Sequence, residues 1–111
     1  MSRRNTINKV NLLDAATTTA TGNGYSGHAD YKTYSLWGKT TAGAGSVTAE
    51  IEGSNNGGLS WDATAIGTIT VTLSTSYASD SFTSTDRFEM VRARITAISG
   101  TGATVSAEMC F

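Results

Sequence analysis

The strongest constraint on the fold of this sequence is an alternation of apolar and polar residues with a period of two. It recurs in six segments, residues 9–15, 31–39, 46–52, 66–74, 88–98 and 103–111, separated by runs rich in Gly, Asn, Ser and Thr. Since successive side chains of a β-strand point to opposite faces, such segments are typical of half-buried strands. The sequence predicts six or more strands and no helix.

The faces of these predicted strands differ in how clearly they are defined. In residues 46–52, Val47, Ala49 and Ile51 alternate with polar residues, which predicts one core face and one solvated face. Residues 31–39 place Tyr34 on one face and Trp37 on the other. Aromatic side chains on both faces of one strand indicate that one of these faces is an interface.

The segments between the strands are predicted to be turns and loops. Glycines in GSNNGG, residues 53–58, and in SGTG, residues 99–102, favour hairpin turns because they tolerate positive φ. Residues 17–27 and 75–86 are polar and are predicted to be longer loops. In the second of these loops, Tyr77 and Phe82 are expected to plug an open end of the fold.

Composition supports a single all-β domain over residues 1–111. Thr and Ser make up about three residues in ten, and Thr is favoured in strands and costly in helices. A lone cysteine, Cys110, cannot form an internal disulfide, so we expect packing and pairing to stabilise the fold. Together with the strand pattern, this predicts an antiparallel β-sandwich, and within that class a jelly roll.

The distribution of charge limits the possible partners. With a net charge of −1 and 15% charged residues, the chain has no broad basic field, so we expect neither nucleic acid nor membrane as a partner. Its N-terminus is locally basic, because Arg3, Arg4 and Lys9 precede the first acidic residue. Residues 1–8 are predicted to form an extended arm that contacts a partner. The sequence has no apolar run typical of a signal peptide or membrane span, which predicts a cytosolic site of synthesis.

No residue pattern points to catalysis, to a metal or to a cofactor. GSNNGG lacks the Lys-Ser/Thr and the helix of a phosphate-binding loop. The only histidine, His28, lies in a predicted loop beside Asp30 without the spacing of a metal site or of a catalytic triad. Cys110 is predicted to be a buried or interface thiol. We therefore expect a protein that is not an enzyme.

Two acidic residues on one strand face have an alternative explanation. Glu50 and Glu52 have a spacing that invites comparison with glycosidase carboxylates, but adjacent solvated positions would not separate their pKa values. Arg92 and Arg94 occupy a similar face of another predicted strand. The sequence predicts exposed cross-strand ion pairs between these two sets of residues.

Aromatic residues are the strongest candidates for binding. Trp and Tyr combine a large rigid contact area with a polar group, which suits protein interfaces and sugar stacking alike. Tyr25, Tyr31, Tyr34 and Trp37 are predicted to bind a partner, together with Arg3, Arg4 and Lys9 of the basic start. Trp61, which follows a predicted turn, is expected in the core.

Residues 47–109 also resemble a known class of proteins. The runs VTAEIEGSNNGGLSWDAT, IGTITVTLS and RFEMVRARITAISGTGATVSAEM look like small β-sandwich modules of tailed phages. The chain as a whole, with its short length and basic start, resembles the capsid decoration, or stapling, proteins of these phages. The resemblance implies a jelly-roll protein on the outer surface of the virion that binds the major capsid protein, pairs with itself and ties capsomers together.

Two other functions remain open from the residues alone. In a carbohydrate-binding module, Trp37, Trp61 or the tyrosines would stack on sugar rings in a groove open to solvent. An enzyme would need a pocket that holds His28 beside a second polar catalytic group. The exposure of the aromatic residues distinguishes the first of these functions from a capsid staple, which buries them between chains.

Overall fold

The structure of the chain is a computed structural model that describes residues 9–27 and 31–111, except the side chains of residues 63–65. The predicted basic arm, residues 1–8, and the predicted loop residues His28 and Asp30 lie outside this part of the chain. Within it there are nine strands: β1 (Lys9–Ala16), β2 (Ala20–Thr21), β3 (Tyr25–Gly27), β4 (Lys32–Lys39), β5 (Ala42–Ser54), β6 (Asp62–Leu73), β7 (Ala78–Ser84), β8 (Phe88–Thr101) and β9 (Thr104–Cys110).

These strands form two antiparallel sheets that pack face to face. One sheet has the order β1-β9-β4-β7, and the other has the order β2-β8-β5-β6, with β3 also paired to β8. Every strand pairing described in the two sheets is antiparallel. The prediction of an all-β antiparallel sandwich is confirmed.

The core lies between the sheets and is built from the apolar positions of the alternating segments. Val47, Ala49 and Ile51 of β5 face it, as predicted, and Tyr34 and Leu36 of β4 face it from the other sheet. Inward residues of the other long strands complete it: Leu12, Ile69, Val71, Leu73, Val91, Ala93, Ile95, Val105, Ala107 and Met109. Alternation with period two thus places one face of each of these strands in the core.

The two segments predicted to be long loops contain strands. Residues 17–27 include β2 and β3, which are short and pair side by side along β8. Residues 75–86 include β7, an edge strand whose sequence ASDSFTS has a single large apolar residue, Phe82. The Phe82 ring packs against Tyr34, with ring centroids 5.4 Å apart, and covers Gly67 of β6. In β7, one aromatic contact and the hydrogen bonds to β4 therefore replace the apolar alternation that this segment lacks.

Both predicted hairpin turns are present. Gly57 and Gly58 have φ values of 71° and 89° between β5 and β6, and Gly102 has a φ of 63° between β8 and β9. These positive φ values favour glycine because, in other residues, the Cβ atom would clash with the residue's own backbone. The side chain of Ser54 supports the first turn, since its Oγ accepts hydrogen bonds from the backbone N–H groups of Asn56 and Gly58.

Candidate functional site

The outer face of the four-stranded sheet carries Trp37 at its centre. Trp37 lies on β4 between Ser106 of β9 and Ser79 of β7, which are its direct cross-strand neighbours. Both neighbours are short and polar, so the large indole ring stands above the side chains on either side of it. The prediction that Trp37 and Tyr34 point to opposite faces of this strand is confirmed.

Tyr77 completes an aromatic pair at this position. It directly precedes β7, and 69% of its surface is exposed, so it does not plug the end of the sandwich. The ammonium of Lys39 lies 4.8 Å from the centroid of the Tyr77 ring and contacts it as a cation–π pair. Trp37 and Tyr77 both line two neighbouring depressions of about 340 and 370 Å³. We call this continuous surface the Trp37–Tyr77 cleft.

Polar groups line the two halves of the Trp37–Tyr77 cleft. The first depression is bordered by Glu108 together with Ser35 and Ser79. The second depression, the more enclosed of the two, is bordered by Asp14, Lys39, Thr104 and Ser106. Each half of the cleft therefore combines an aromatic wall with one carboxylate and several hydroxyl groups.

A bulge in β1 forms one wall of the cleft. The pairing of β1 with β9 is irregular between Leu13 and Ala16, and Ala15 within this interval has a φ of 51°. Instead of joining the regular ladder, the N–H of Ala15 donates to Ser106 Oγ at 3.0 Å. Ser106 Oγ in turn donates to Asp14 Oδ1 at 3.4 Å. The bulge thus directs Asp14 and Ala15 towards the Trp37 side of the sheet.

Glu108 is held by its neighbours on the same face. Lys9 Nζ lies 3.6 Å from one carboxylate oxygen, and the Cys110 thiol lies 3.5 Å from the other. Burial raises the pKa of the Cys110 thiol, and the hydrogen bond and charge of Glu108 raise it further. Cys110 is therefore a half-buried protonated thiol that lies on the outer face of β9 and helps to orient Glu108.

A second polar cluster lies on the outer face of the five-stranded sheet. Arg92 Nε donates to Glu52 Oε1 at 2.6 Å, and Arg94 Nε donates to Glu52 Oε2 at 3.0 Å. A terminal nitrogen of Arg94 also donates to Glu50 Oε2 at 2.8 Å. The predicted cross-strand pairing of these residues is confirmed, and we call them the Glu52 cluster.

Two predictions about the Glu52 cluster are wrong in detail. Glu52 was expected on a solvated face, yet only 2% of its surface is exposed. Both arginines converge on its carboxylate, and the ring of Trp61 lies 4.3 Å from the Arg92 guanidinium. Trp61 was expected in the core, but it is half-buried on this outer face, where it covers the ion pairs. The turn between β5 and β6 brings Trp61 there, which alternation within a strand does not reveal.

The predicted partner-binding residues have different positions in the fold. Lys9 and Tyr31 are exposed, Trp37 is partly exposed in the cleft, and Tyr25 is half-buried against the core. Arg3 and Arg4 lie outside the described residues. Tyr34 is 0% exposed, so its prediction as a partner-binding residue is wrong: it faces inwards beside Phe82. The residues that sequence reasoning missed at the cleft are Asp14 and Glu108, because only strand pairing brings them to Trp37.

The buried Tyr34 side chain has an unusual hydroxyl group. Its oxygen has no hydrogen-bond partner among the described residues. Burial raises the pKa of Tyr34 far above its usual range, and the negative charge of Asp86 raises it further. The folded state therefore keeps this hydroxyl protonated, whereas the unfolded state ionises it above about pH 10.

We expect Tyr34→Phe to leave stability at pH 7 unchanged or to increase it by up to about 1 kcal/mol, because it removes a buried hydroxyl without a partner. Above about pH 10 the wild-type chain should lose an additional 1.4 kcal/mol or so per pH unit relative to the variant, since only its unfolded state releases this proton. Urea unfolding at pH 7 and at several values between pH 9.5 and 11.5 measures both effects. Clear destabilisation by Tyr34→Phe at pH 7 would contradict the expectation.

Among the described residues, no three His, Cys, Asp or Glu side chains are grouped closely enough to hold a metal ion. Nor does the described part of the chain contain a helix long and apolar enough to cross a membrane.

Comparison with known proteins assigns neither the Trp37–Tyr77 cleft nor the Glu52 cluster. Comparison of the chain with protein-family models, curated proteins and solved structures finds no match.

Proposed function

We propose that this chain is a structural decoration protein that binds the outer surface of a tailed-phage capsid and staples neighbouring capsomers. In this proposal it contacts the major capsid protein and a second copy of itself, and it performs no chemical step. It is made in the host cytoplasm and becomes part of the virion. The proposal originates in the sequence resemblance described above.

The placement of β1 carries the proposal. β1 is an edge strand of the four-stranded sheet, and it begins at Lys9, directly after the basic residues 1–8. An edge strand offers unpaired backbone groups to another chain, and a basic segment joined to such an edge is well placed to reach a neighbouring subunit. Lys9 itself is exposed at this edge.

The shape of the molecule is consistent with this role. Its extents are 44 × 43 × 17 Å, so it is a thin slab with two broad faces. A slab of this kind can lie flat on a shell and cover the joint between two subunits. Because a shell presents many equivalent sites, weak contacts at each site are multiplied by repetition.

The strand order supports the finer proposal of a jelly roll. Several neighbours within the sheets come from distant parts of the sequence: β9 lies between β1 and β4, and β8 lies beside β5. Jelly rolls combine two sheets through such long-range antiparallel pairings. In this proposal the free edges of the sandwich are where copies pair.

Particles that carry this chain are expected to release their genome at a higher temperature than particles without it. A protein that binds only the assembled shell stabilises the assembled state by linkage. A chain without residues 1–8 should attach less well. Particles exposed to this truncated chain should therefore release their genome close to the lower temperature seen without the protein. Fluorescence of a DNA-binding dye during heating measures release, and sedimentation of particles measures attachment.

Two controls make this test specific. Circular dichroism of the truncated chain should show an unchanged β-sheet spectrum, since residues 1–8 precede β1. The conservative variant Arg3→Lys/Arg4→Lys retains both charges and should attach like the wild type. Equal release temperatures with and without the full-length chain would refute the stapling function.

A further inference from the structure

We propose that the Trp37–Tyr77 cleft is a binding site for a neutral saccharide. This site is additional to the proposed capsid attachment and does not depend on it. The inference rests on the side chains that the outer sheet face brings together: two aromatic rings, two carboxylates, a row of hydroxyl groups and a bulged wall.

The aromatic rings provide the apolar part of the site. The C–H face of a pyranose ring is apolar and packs against the face of Trp or Tyr. Serines flank Trp37 on both neighbouring strands, so its ring has room for a flat ligand, and Tyr77 is largely exposed beside it. The ammonium of Lys39 lies 4.8 Å from the centroid of the Tyr77 ring. The two depressions, about 340 and 370 Å³, are within the size range of small-molecule sites.

The polar groups match the hydroxyl edges of a sugar. Asp14 borders one depression and Glu108 borders the other, and each carboxylate can accept hydrogen bonds from sugar hydroxyls. Ser35, Ser79 and Ser106 add groups that both donate and accept. An apolar protein segment would leave these carboxylates facing a surface without donors, which is unfavourable.

The charges of the cleft favour a neutral ligand. A carboxylate lines each half of the cleft, and each is offset by a cation: Lys9 pairs with Glu108, and Lys39 lines the same half as Asp14. The charges therefore balance, and the cleft has no surplus positive charge for a sialic acid or a phosphate group. Neutral hexoses need no such charge and can use the hydrogen bonds alone.

The bulge in β1 is a second and independent sign of a site. Ala15 has a φ of 51°, in the left-handed region, where the Cβ atom of an alanine is strained against its own backbone. Strained backbone of this kind is concentrated at binding sites, and bulges often redirect side chains there. Here the strained residue lines the cleft and brings Asp14 with it.

Fluorescence titration of the isolated chain tests this inference. In a Trp61→Phe background, Trp37 is the only tryptophan and reports directly on its own surroundings. The probes are maltohexaose, mannohexaose and lacto-N-neotetraose as neutral sugars, with 3′-sialyllactose as the anionic comparison. We expect a saturable change in emission with at least one neutral sugar, and binding at least tenfold weaker for 3′-sialyllactose.

Variants distinguish stacking of a sugar on the aromatic rings of the cleft from nonspecific adsorption of the sugar to the protein. Tyr77→Ala should weaken binding at least tenfold, and so should Trp37→Ala, measured by calorimetry. Phe111→Ala is the control, because Phe111 is also an exposed aromatic residue, at 40%, but does not line the cleft, and this variant should bind within twofold of the wild type. Since Tyr77 is exposed and precedes its strand, its replacement should not affect folding.

Three outcomes would overturn the inference: no saturable response to any neutral probe, an affinity unchanged by Tyr77→Ala, or preferred binding of 3′-sialyllactose. If Trp37→Ala abolished self-association or particle attachment while no sugar bound, the cleft would be a protein interface instead. Conversely, sugar binding by a chain that fails to stabilise particles would support the saccharide site and refute the stapling function alone.

Discussion

Glu52→Ala is expected to lower the free energy of unfolding by about 3 kcal/mol, near the lower end of the range for breaking a buried ion pair. Glu52 is 2% exposed and accepts hydrogen bonds from both Arg92 and Arg94. Its removal leaves two guanidinium groups without their shared acceptor, and Trp61 keeps water away from one of them. Both arginines retain some exposure, which limits the loss. Urea denaturation with an unchanged m-value measures the change.

Glu50→Ala is the matched control for this experiment. Glu50 lies on the same strand face and, among the described residues, accepts from Arg94 alone, and its side chain is more exposed than that of Glu52. An ion pair in such a position contributes about 0.5–1 kcal/mol. Equal losses for the two variants would show that burial of Glu52 does not contribute to the stability of the cluster.

Gly22→Ala is expected to destabilise the fold by about 3 kcal/mol, at the upper end of the usual cost of overpacking. A Cβ atom at Gly22 would lie 2.0 Å from the carbonyl oxygen of Leu12, in β1. The N–H of Gly22 donates to the carbonyl of Ala93, in β8, at 2.9 Å. Gly22 therefore lies between strands of the two sheets, and an added methyl group can be accommodated only if backbone moves. Thermal and urea unfolding would both report the loss.

Gly43→Ala separates this steric effect from the conformational preference of glycine. Gly43 has a φ of 71°, and nothing lies within 4 Å of the position that its Cβ atom would occupy. Its replacement should cost only about 1 kcal/mol, from the left-handed backbone. If Gly22→Ala cost no more than Gly43→Ala, the close approach of the two sheets would not be rigid.

The long strands were predictable because one physical property determines them. Where apolar residues alternate with polar ones, as around Val47 and Ile51, only a strand places all the apolar side chains on one face that can be buried. The same alternation on β5 and β8 predicted that Glu50 and Glu52 would meet Arg92 and Arg94. Since charges of opposite sign face the same way on two such strands, their pairing follows once the strands are adjacent.

Residues 31–39 show the limit of this reasoning. Tyr34 and Trp37 are an odd number of positions apart, so the sequence already required that they face opposite sides of the strand. It did not determine which one faces outwards, because both are large aromatic residues. The sandwich decides this: Tyr34 meets Phe82 in the core, and Trp37 meets only serines across the sheet.

The amino-acid sequence by itself determined the all-β class, the long strands, the glycine turns and the pairing of charges, because each depends on local periodicity or on a single backbone requirement. Only the tertiary structure decided where the strands without alternation lie, how deeply Glu52 is buried, and which residues surround Trp37. β7 forms a strand because it pairs with β4 and because its Phe82 packs beside Tyr34. The cleft combines β1, β4, β9 and the start of β7, which are distant in sequence, so only long-range pairing could bring Asp14, Tyr77 and Glu108 to one tryptophan.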